Sequence, residues 1–212
     1  MWTIRSLFTN IFIIISPPCC FSCKKEAYSL CEKCIQNYRK CLNTSSPYIY
    51  AVFDFQDKNI KKIIHSIKYF HRKDLIIPIA SYVASDLQQI LSTELNRENI
   101  KLVPIPMPSL RKYIRGYNQA EKIAEVFSSI WNIPVTTTIL KRTKTSKRQV
   151  TTLSRDERLQ NQKGTFTVVS DVRNMHIIII DDVTTTGATF DEARKILLKN
   201  GAQSVIAVAL AH

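Results

Sequence analysis

Two adjacent carboxylates, Asp181 and Asp182, followed by Val183-Thr184-Thr185-Thr186-Gly187-Ala188-Thr189, carry the most specific chemistry in the chain. Ile177 to Ile180 precede them as four β-branched residues, the pattern of a strand covered on both faces in a parallel sheet. Thr189 has N-cap chemistry and Glu192 follows three residues later, the spacing of a capping box at the start of a helix. A strand–loop–helix turn of this kind gathers backbone N–H groups and the positive end of a helix dipole, which suits a phosphate. The acids beside it, expected at a solvent-facing strand end, suit sugar hydroxyls or a hydrated magnesium ion. Ribose and phosphate recognition can therefore coincide at one sheet edge. The competing reading is a doubly wound sheet with one strand that merely ends in acids.

The second constellation is cysteine. Cys20-x2-Cys23 and Cys31-x2-Cys34 are separated by seven residues, and Cys19 and Cys41 flank them. Two Cys-x2-Cys pairs supply four thiolates for a tetrahedral zinc ion. Disulfides are the alternative; a reducing compartment disfavours them. Cys19 could replace Cys20 as a ligand, and Cys41 fits a spare buried thiol. A module of roughly 25 residues has little core of its own, so a metal would stabilise it directly.

The elements that must position these groups are legible from hydrophobic period. Ile60, Ile63, Ile64 and Ile67 mark one amphipathic helix, and Leu75 to Leu91 repeats that period. A basic turn, Lys68 to Lys73, lies between them. Lys101 to Ile105 reads as a strand, followed by the rigid, donor-poor Pro104-Ile105-Pro106-Met107-Pro108. Asn118 to Trp131 reads as a helix capped by Asn118 and Glu121, and Ser204 to Leu210 as a final buried strand. Strands alternating with helices predict an α/β fold on a parallel sheet. His65, His71, His176 and His212 are isolated, and His176 fits a strand edge better than a general base.

Length and charge bound the rest. The 212 residues suit one α/β domain with a small appendage, and the predicted division is 1–16, 17–45 and 48–212. The first segment reads as an apolar helix that packs on the body or on a partner. Its apolar run, Ile4 to Ile15, is broken by polar residues and too short to span a membrane, which favours a cytoplasmic location. Thirty Lys and Arg against 17 Asp and Glu give +13, favouring nucleotides, pyrophosphate or nucleic acid as partners. Lys141 to Arg148 is the densest basic cluster; it is either a solvated loop or a phosphate-binding one. Only four glycines occur, and Gly187, Gly116 and Gly201 fall where a loop, a turn and a helix end need them, while Gly164 shows no evident role.

The acidic pair with its Thr-Gly-x-Thr loop resembles the type I phosphoribosyltransferase signature. Ile67-Lys68-Tyr69, Val103-Pro104-Ile105-Pro106, Arg115-Gly116-Tyr117-Asn118-Gln119-Ala120 and Leu153-Ser154-Arg155-x2-Arg158, with the cysteine pairs, narrow this to a resemblance to the ComF family of competence-associated proteins. The resemblance implies a type I phosphoribosyltransferase fold preceded by a zinc module. It implies that Asp181 and Asp182 face the ribose hydroxyls of magnesium-bound phosphoribosyl pyrophosphate, and that Thr185, Thr186, Gly187, Ala188 and Thr189 wrap its 5-phosphate. Arg111, Lys112 and Arg115 are the candidates for pyrophosphate contact. Residues 141–163 sit where such enzymes carry a mobile lid, through which Arg142, Lys147 and Arg148 would reach the site. The implied activity is pentosyl transfer to an unidentified acceptor, associated with DNA uptake. The alternative is a non-catalytic module that senses phosphoribosyl pyrophosphate or binds single-stranded DNA or a competence helicase.

Overall fold

The computed structural model describes residues 19–26, 28–41, 46–143 and 164–212. Four parallel strands form the central sheet: β1 (Ile49–Phe53), β2 (Ile100–Pro104), β5 (His176–Val183) and β6 (Ser204–Ala211), in the order β1-β6-β5-β2. Beyond β2 the sheet gains a rudimentary fifth member. Val135 bridges Leu102 in parallel, and Leu102 donates to Pro134 O at 3.0 Å while accepting from Thr136 N at 2.8 Å. A separate antiparallel ribbon pairs β3 (Leu140–Arg142) with β4 (Phe166–Val168).

The pleat sorts the core into two faces. Leu102, Ile178, Ile180, Val208 and Leu210 point to one side, into the layer built from α2 (Lys58–Tyr69), α3 (Ile76–Ile90) and α6 (Gln119–Trp131). Val103, Ile177, Ile179, Val205, Ala207 and Ala209 point to the other, where α7 (Ala188–Lys199) and the β3–β4 ribbon cover them. The predicted amphipathic helices bury the residues their period selects: Ile60, Ile63, Ile64 and Ile67 in α2, and Ile123, Ala124 and Phe127 in α6. Trp131 ties α6 to α3 by donating from Nε1 to Ala84 O at 3.0 Å.

The cysteine segment precedes this sheet and packs on it. Its short helix α1 (Glu32–Gln36) and the residues Cys20, Leu30, Cys31, Ile35 and Tyr38 share one hydrophobic cluster with α2 and α3. Cys41 N donates to Val52 O at 2.9 Å, and Lys40 Nζ lies 4.1 Å from the Tyr82 ring centroid on α3. The apolar segment 1–16, residues 42–45 at the end of the predicted 17–45 module and most of the 141–163 lid segment lie outside the described residues. Among the described residues no helix is long and apolar enough to cross a membrane. Two further helices, α4 (Ser92–Leu95) and α5 (Ser109–Arg115), are short connectors.

Candidate active site

The site forms at the carboxyl ends of β2 and β5, where ligands bind in open parallel sheets. Alternation along β5 divides the acidic pair. Asp182 continues the Ile178 and Ile180 series and so faces the α2–α6 layer. There Lys68 Nζ, from the last turn of α2, lies 3.0 Å from its Oδ1, and Gln119 Nε2, at the first residue of α6, donates to Oδ2 at 3.1 Å. Asp182 is only 3% exposed, so the expectation that both acids lie at a solvent-facing end fails for this one. A charge at a strand tip stays buried here because two elements from elsewhere in the chain supply partners. Asp181 continues the Ile177 and Ile179 series, is half-buried, and lines both cavities of the site.

The smaller cavity, about 60 Å³, is enclosed by Asp181 and the loop from Val183 to Phe190. Gly187 makes that loop possible. It sits at φ 79° as the N-cap of α7, a left-handed conformation that residues with a Cβ rarely adopt. The helix therefore begins at Ala188, Thr189 falls inside its first turn, and the Thr189–Glu192 capping box is not formed. Thr186 Oγ1 instead accepts from Ala188 N at 3.4 Å, and Glu192 Oε1 accepts from Gly164 N at 2.6 Å. Gly164 thereby acquires a role, holding the start of β4 to α7. The first intrahelical bond runs from Asp191 N to Gly187 O, so the amides ahead of it face the loop cavity without an intrahelical acceptor.

The larger cavity, about 370 Å³, is walled by Ile105 to Pro108 after β2, by Asp181 and Asp182, and by cations from three elements. Arg111 and Arg115 come from α5, Arg142 from β3 and Lys68 from α2. Lys112 is turned away: its Nζ lies 2.9 Å from Glu121 Oε1, and it does not line the cavity. Glu121 also keeps its predicted partner, accepting from Asn118 Nδ2 at 3.4 Å, and Asn118 caps α6 by accepting from Ala120 N. Asn118 also donates to Ile105 O at 3.0 Å, fastening the loop after β2 to the helix. Gly116 ends α5 at φ 74°, the turn that brings Arg115 back over the site.

Cations outnumber the two carboxylates on the cavity wall. Burial raises the Asp181 carboxyl and the neighbouring Asp182 raises it further, to about 7, against the opposing pull of Lys68 and Arg142. Burial lowers the Lys68 ammonium, but Asp182 and Asp181 outweigh it and hold the ammonium above its ordinary range. Burial and the nearby Arg111 pull Arg142 down. Lys68 and Gln119 are the site residues that sequence period does not reveal as such. Lys68 reads as part of a basic turn and Gln119 as a helix start, and only the sheet brings them onto Asp182. His176 is buried at the opposite, amino end of β5, bonded to Ser204 Oγ at 2.7 Å and some 20 Å along the strand from the acids.

Breaking the Lys68–Asp182 pair leaves a buried carboxylate without its cation. Lys68→Met is expected to destabilise the protein by about 1–3 kcal/mol at pH 7. Because the lysine is raised, its contribution is full below the ordinary lysine range and fades as pH rises through the raised value. Thermal melts of the two proteins should therefore differ at pH 7 and draw together only as pH rises through the raised lysine value.

The four predicted cysteine ligands converge. The Sγ atoms of Cys20, Cys23, Cys31 and Cys34 all lie within 4.8 Å of one another, and Cys31 Sγ is 3.7 Å from both Cys20 and Cys23 Sγ. Four thiolates about 2.3 Å from one zinc ion would stand about 3.8 Å apart, so the set fits that metal. None of the six cysteines is in a disulfide, and Cys19 and Cys41 stand outside the cluster. Burial raises the Cys20 thiol, but amide donors from Cys23, Cys31 and Ser22 outweigh it and bring it down to about 6. Cys34 is pushed up to about 12 by burial and by the surrounding sulfurs.

Comparison with known proteins agrees with this geometry. The Phosphoribosyl transferase domain family matches residues 56–212. DNA utilization protein YhgH of Salmonella typhimurium is 28% identical over 88% of this chain and 85% of its own length. Competence protein F of Haemophilus influenzae is 34% identical over 52% of this chain and 49% of its own, and Competence protein ComFC of Bacillus subtilis 35% over 55% and 46%. The chain belongs to the phosphoribosyl transferase domain family, and these relatives place it among the ComF proteins.

Proposed function

We propose that the chain binds the magnesium complex of phosphoribosyl pyrophosphate and transfers its phosphoribosyl group. The observation that carries this reading is the placement of Asp181, the one acid on the wall of both the phosphate-sized loop cavity and the cation-lined cavity. The 5-phosphate is assigned to the loop Thr185 to Thr189, where the amides at the start of α7 receive it. Asp181 then meets the ribose hydroxyls, while Asp182 holds Lys68 and Gln119 in place beneath the sugar. The pyrophosphate is assigned to Arg111, Arg115 and Arg142, whose guanidinium groups neutralise the electron pair that leaves with it when the C1–O bond breaks. Magnesium, when bound, adds charge neutralisation at the same pyrophosphate. The four-cysteine cluster is assigned to structural zinc.

Calorimetric titration of magnesium phosphoribosyl pyrophosphate tests the reading. The wild type is expected to bind it with a Kd at or below about 100 μM, and free phosphate at least about tenfold more weakly. No binding in the presence of magnesium would mean that the motif is structural here.

The names of the relatives favour a second role beside the first, in DNA handling. Lys141 to Arg148 is its candidate surface, although Lys144 to Arg148 lie outside the described residues. Single-stranded DNA should bind weakly, with affinity falling steeply as salt rises. A salt slope unchanged by neutralising these residues would place DNA binding elsewhere.

A further inference from the structure

We propose that a third cavity, on the outer face of α2, is the acceptor subsite, and that it takes a small planar aromatic molecule bearing negative charge. The proposal rests on the phosphoribosyl-transfer reading and specifies the substrate class for that site. The cavity holds about 600 Å³, a volume suited to a small ligand, and its walls carry the rings of Phe21, Phe55, His65, Tyr69 and Phe70. Tyr69 and Phe70 are 56% and 65% exposed, an unusual state for neighbouring large rings on a folded surface. His65 already stacks on both, with centroids 4.6 and 5.5 Å away, so a planar face is organised before any ligand arrives.

Charge decides what kind of ring fits. Lys61 and Lys62 line the cavity, the Lys68 ammonium being held by Asp182, and no carboxylate is among the lining residues described. Lys61 lies 5.8 Å from the Phe55 centroid and donates to Gln56 Oε1 at 2.8 Å, which holds its ammonium at the rim. Aromatic walls with ammonium groups on one side select a ring that carries an anionic substituent over an uncharged one.

Continuity decides what the ligand does. Lys68 and Tyr69 line this cavity and the cation-lined one alike, so its occupant adjoins the sugar. In the step implied, a lone pair on an acceptor nitrogen forms the bond to ribose C1. The C1–O bond breaks, its electron pair departs on pyrophosphate, and the acceptor nitrogen releases its proton to solvent.

The test uses 2-aminobenzoate, a fluorescent aromatic anion with a nucleophilic nitrogen, and its uncharged analogue 2-aminobenzamide, each titrated into the full chain. The anion is expected to bind at least about tenfold more tightly than the amide. Phe70→Ala combined with Lys62→Gln should weaken it by about tenfold or more while leaving the affinity for phosphoribosyl pyrophosphate unchanged. Asp181→Asn should do the reverse. Equal binding of anion and amide, no binding of the anion at millimolar concentration, or binding of an oligonucleotide alone would overturn the subsite. Probe binding without any binding of phosphoribosyl pyrophosphate would instead sink the transferase reading on which the acceptor role depends.

Discussion

Replacing Cys31 with serine is expected to strip the metal from the amino-terminal segment and release that segment from the body. Cys31 stands at the centre of the cluster, 3.7 Å from two of its three partner sulfurs. A serine hydroxyl cannot replace a thiolate on zinc at neutral pH. The buried apolar residues of the segment, chiefly Leu30, Ile35 and Tyr38, are too few to hold it once four cysteines lose their common partner. Metal analysis should fall from about one equivalent to near zero. Hydrogen exchange should accelerate by orders of magnitude across 19–41 and stay slow in β5 and β6. A variant that keeps both its metal and its protection would show that the cluster is not a metal site.

The second large effect is a trade between stability and binding at Asp181. Its carboxyl is raised to about 7, so its proton-bound contribution is full below the ordinary carboxylate range and is lost as pH rises through that value. At pH 8 the ionised group strains against Asp182 in the empty site. Asp181→Asn removes that repulsion and is expected to stabilise the ligand-free protein at pH 8 by on the order of 1–2 kcal/mol, discounted for the solvent that reaches the group. At pH 4 the two proteins should melt alike. The same change should cost about 100-fold in affinity for magnesium phosphoribosyl pyrophosphate. Destabilisation at pH 8, or undiminished affinity, would contradict the assignment.

Much of this site is legible in sequence because its signals are local. Ile177 to Asp182 and the loop to Thr189 encode strand, acid pair and turn within thirteen residues, and the two Cys-x2-Cys pairs encode the cluster. Ile60 to Ile67 and Ile123 to Phe127 encode helix faces that the structure buries. What sequence does not reveal is long-range. Asp182 is buried because residues 114 and 63 positions away, Lys68 and Gln119, meet it across the sheet edge. Thr189 has cap chemistry, but the left-handed Gly187 starts the helix two residues earlier and leaves Thr189 inside it. Glu192 matches a capping-box acid equally well, yet a glycine amide 28 positions earlier takes it. Lys112 and Arg111 are adjacent and alike in sequence; their helix turns one to Glu121 and the other to the cavity. Strand order is also non-local, since β1, the first strand of the sheet, pairs with β6, the last.

A crystal structure with magnesium phosphoribosyl pyrophosphate tests the central claim most directly. The account predicts the 5-phosphate within the loop Thr185 to Thr189, the ribose hydroxyls against Asp181, and the pyrophosphate facing Arg111, Arg115 and Arg142. A ligand seated elsewhere, or a loop left empty at saturating ligand, would contradict it.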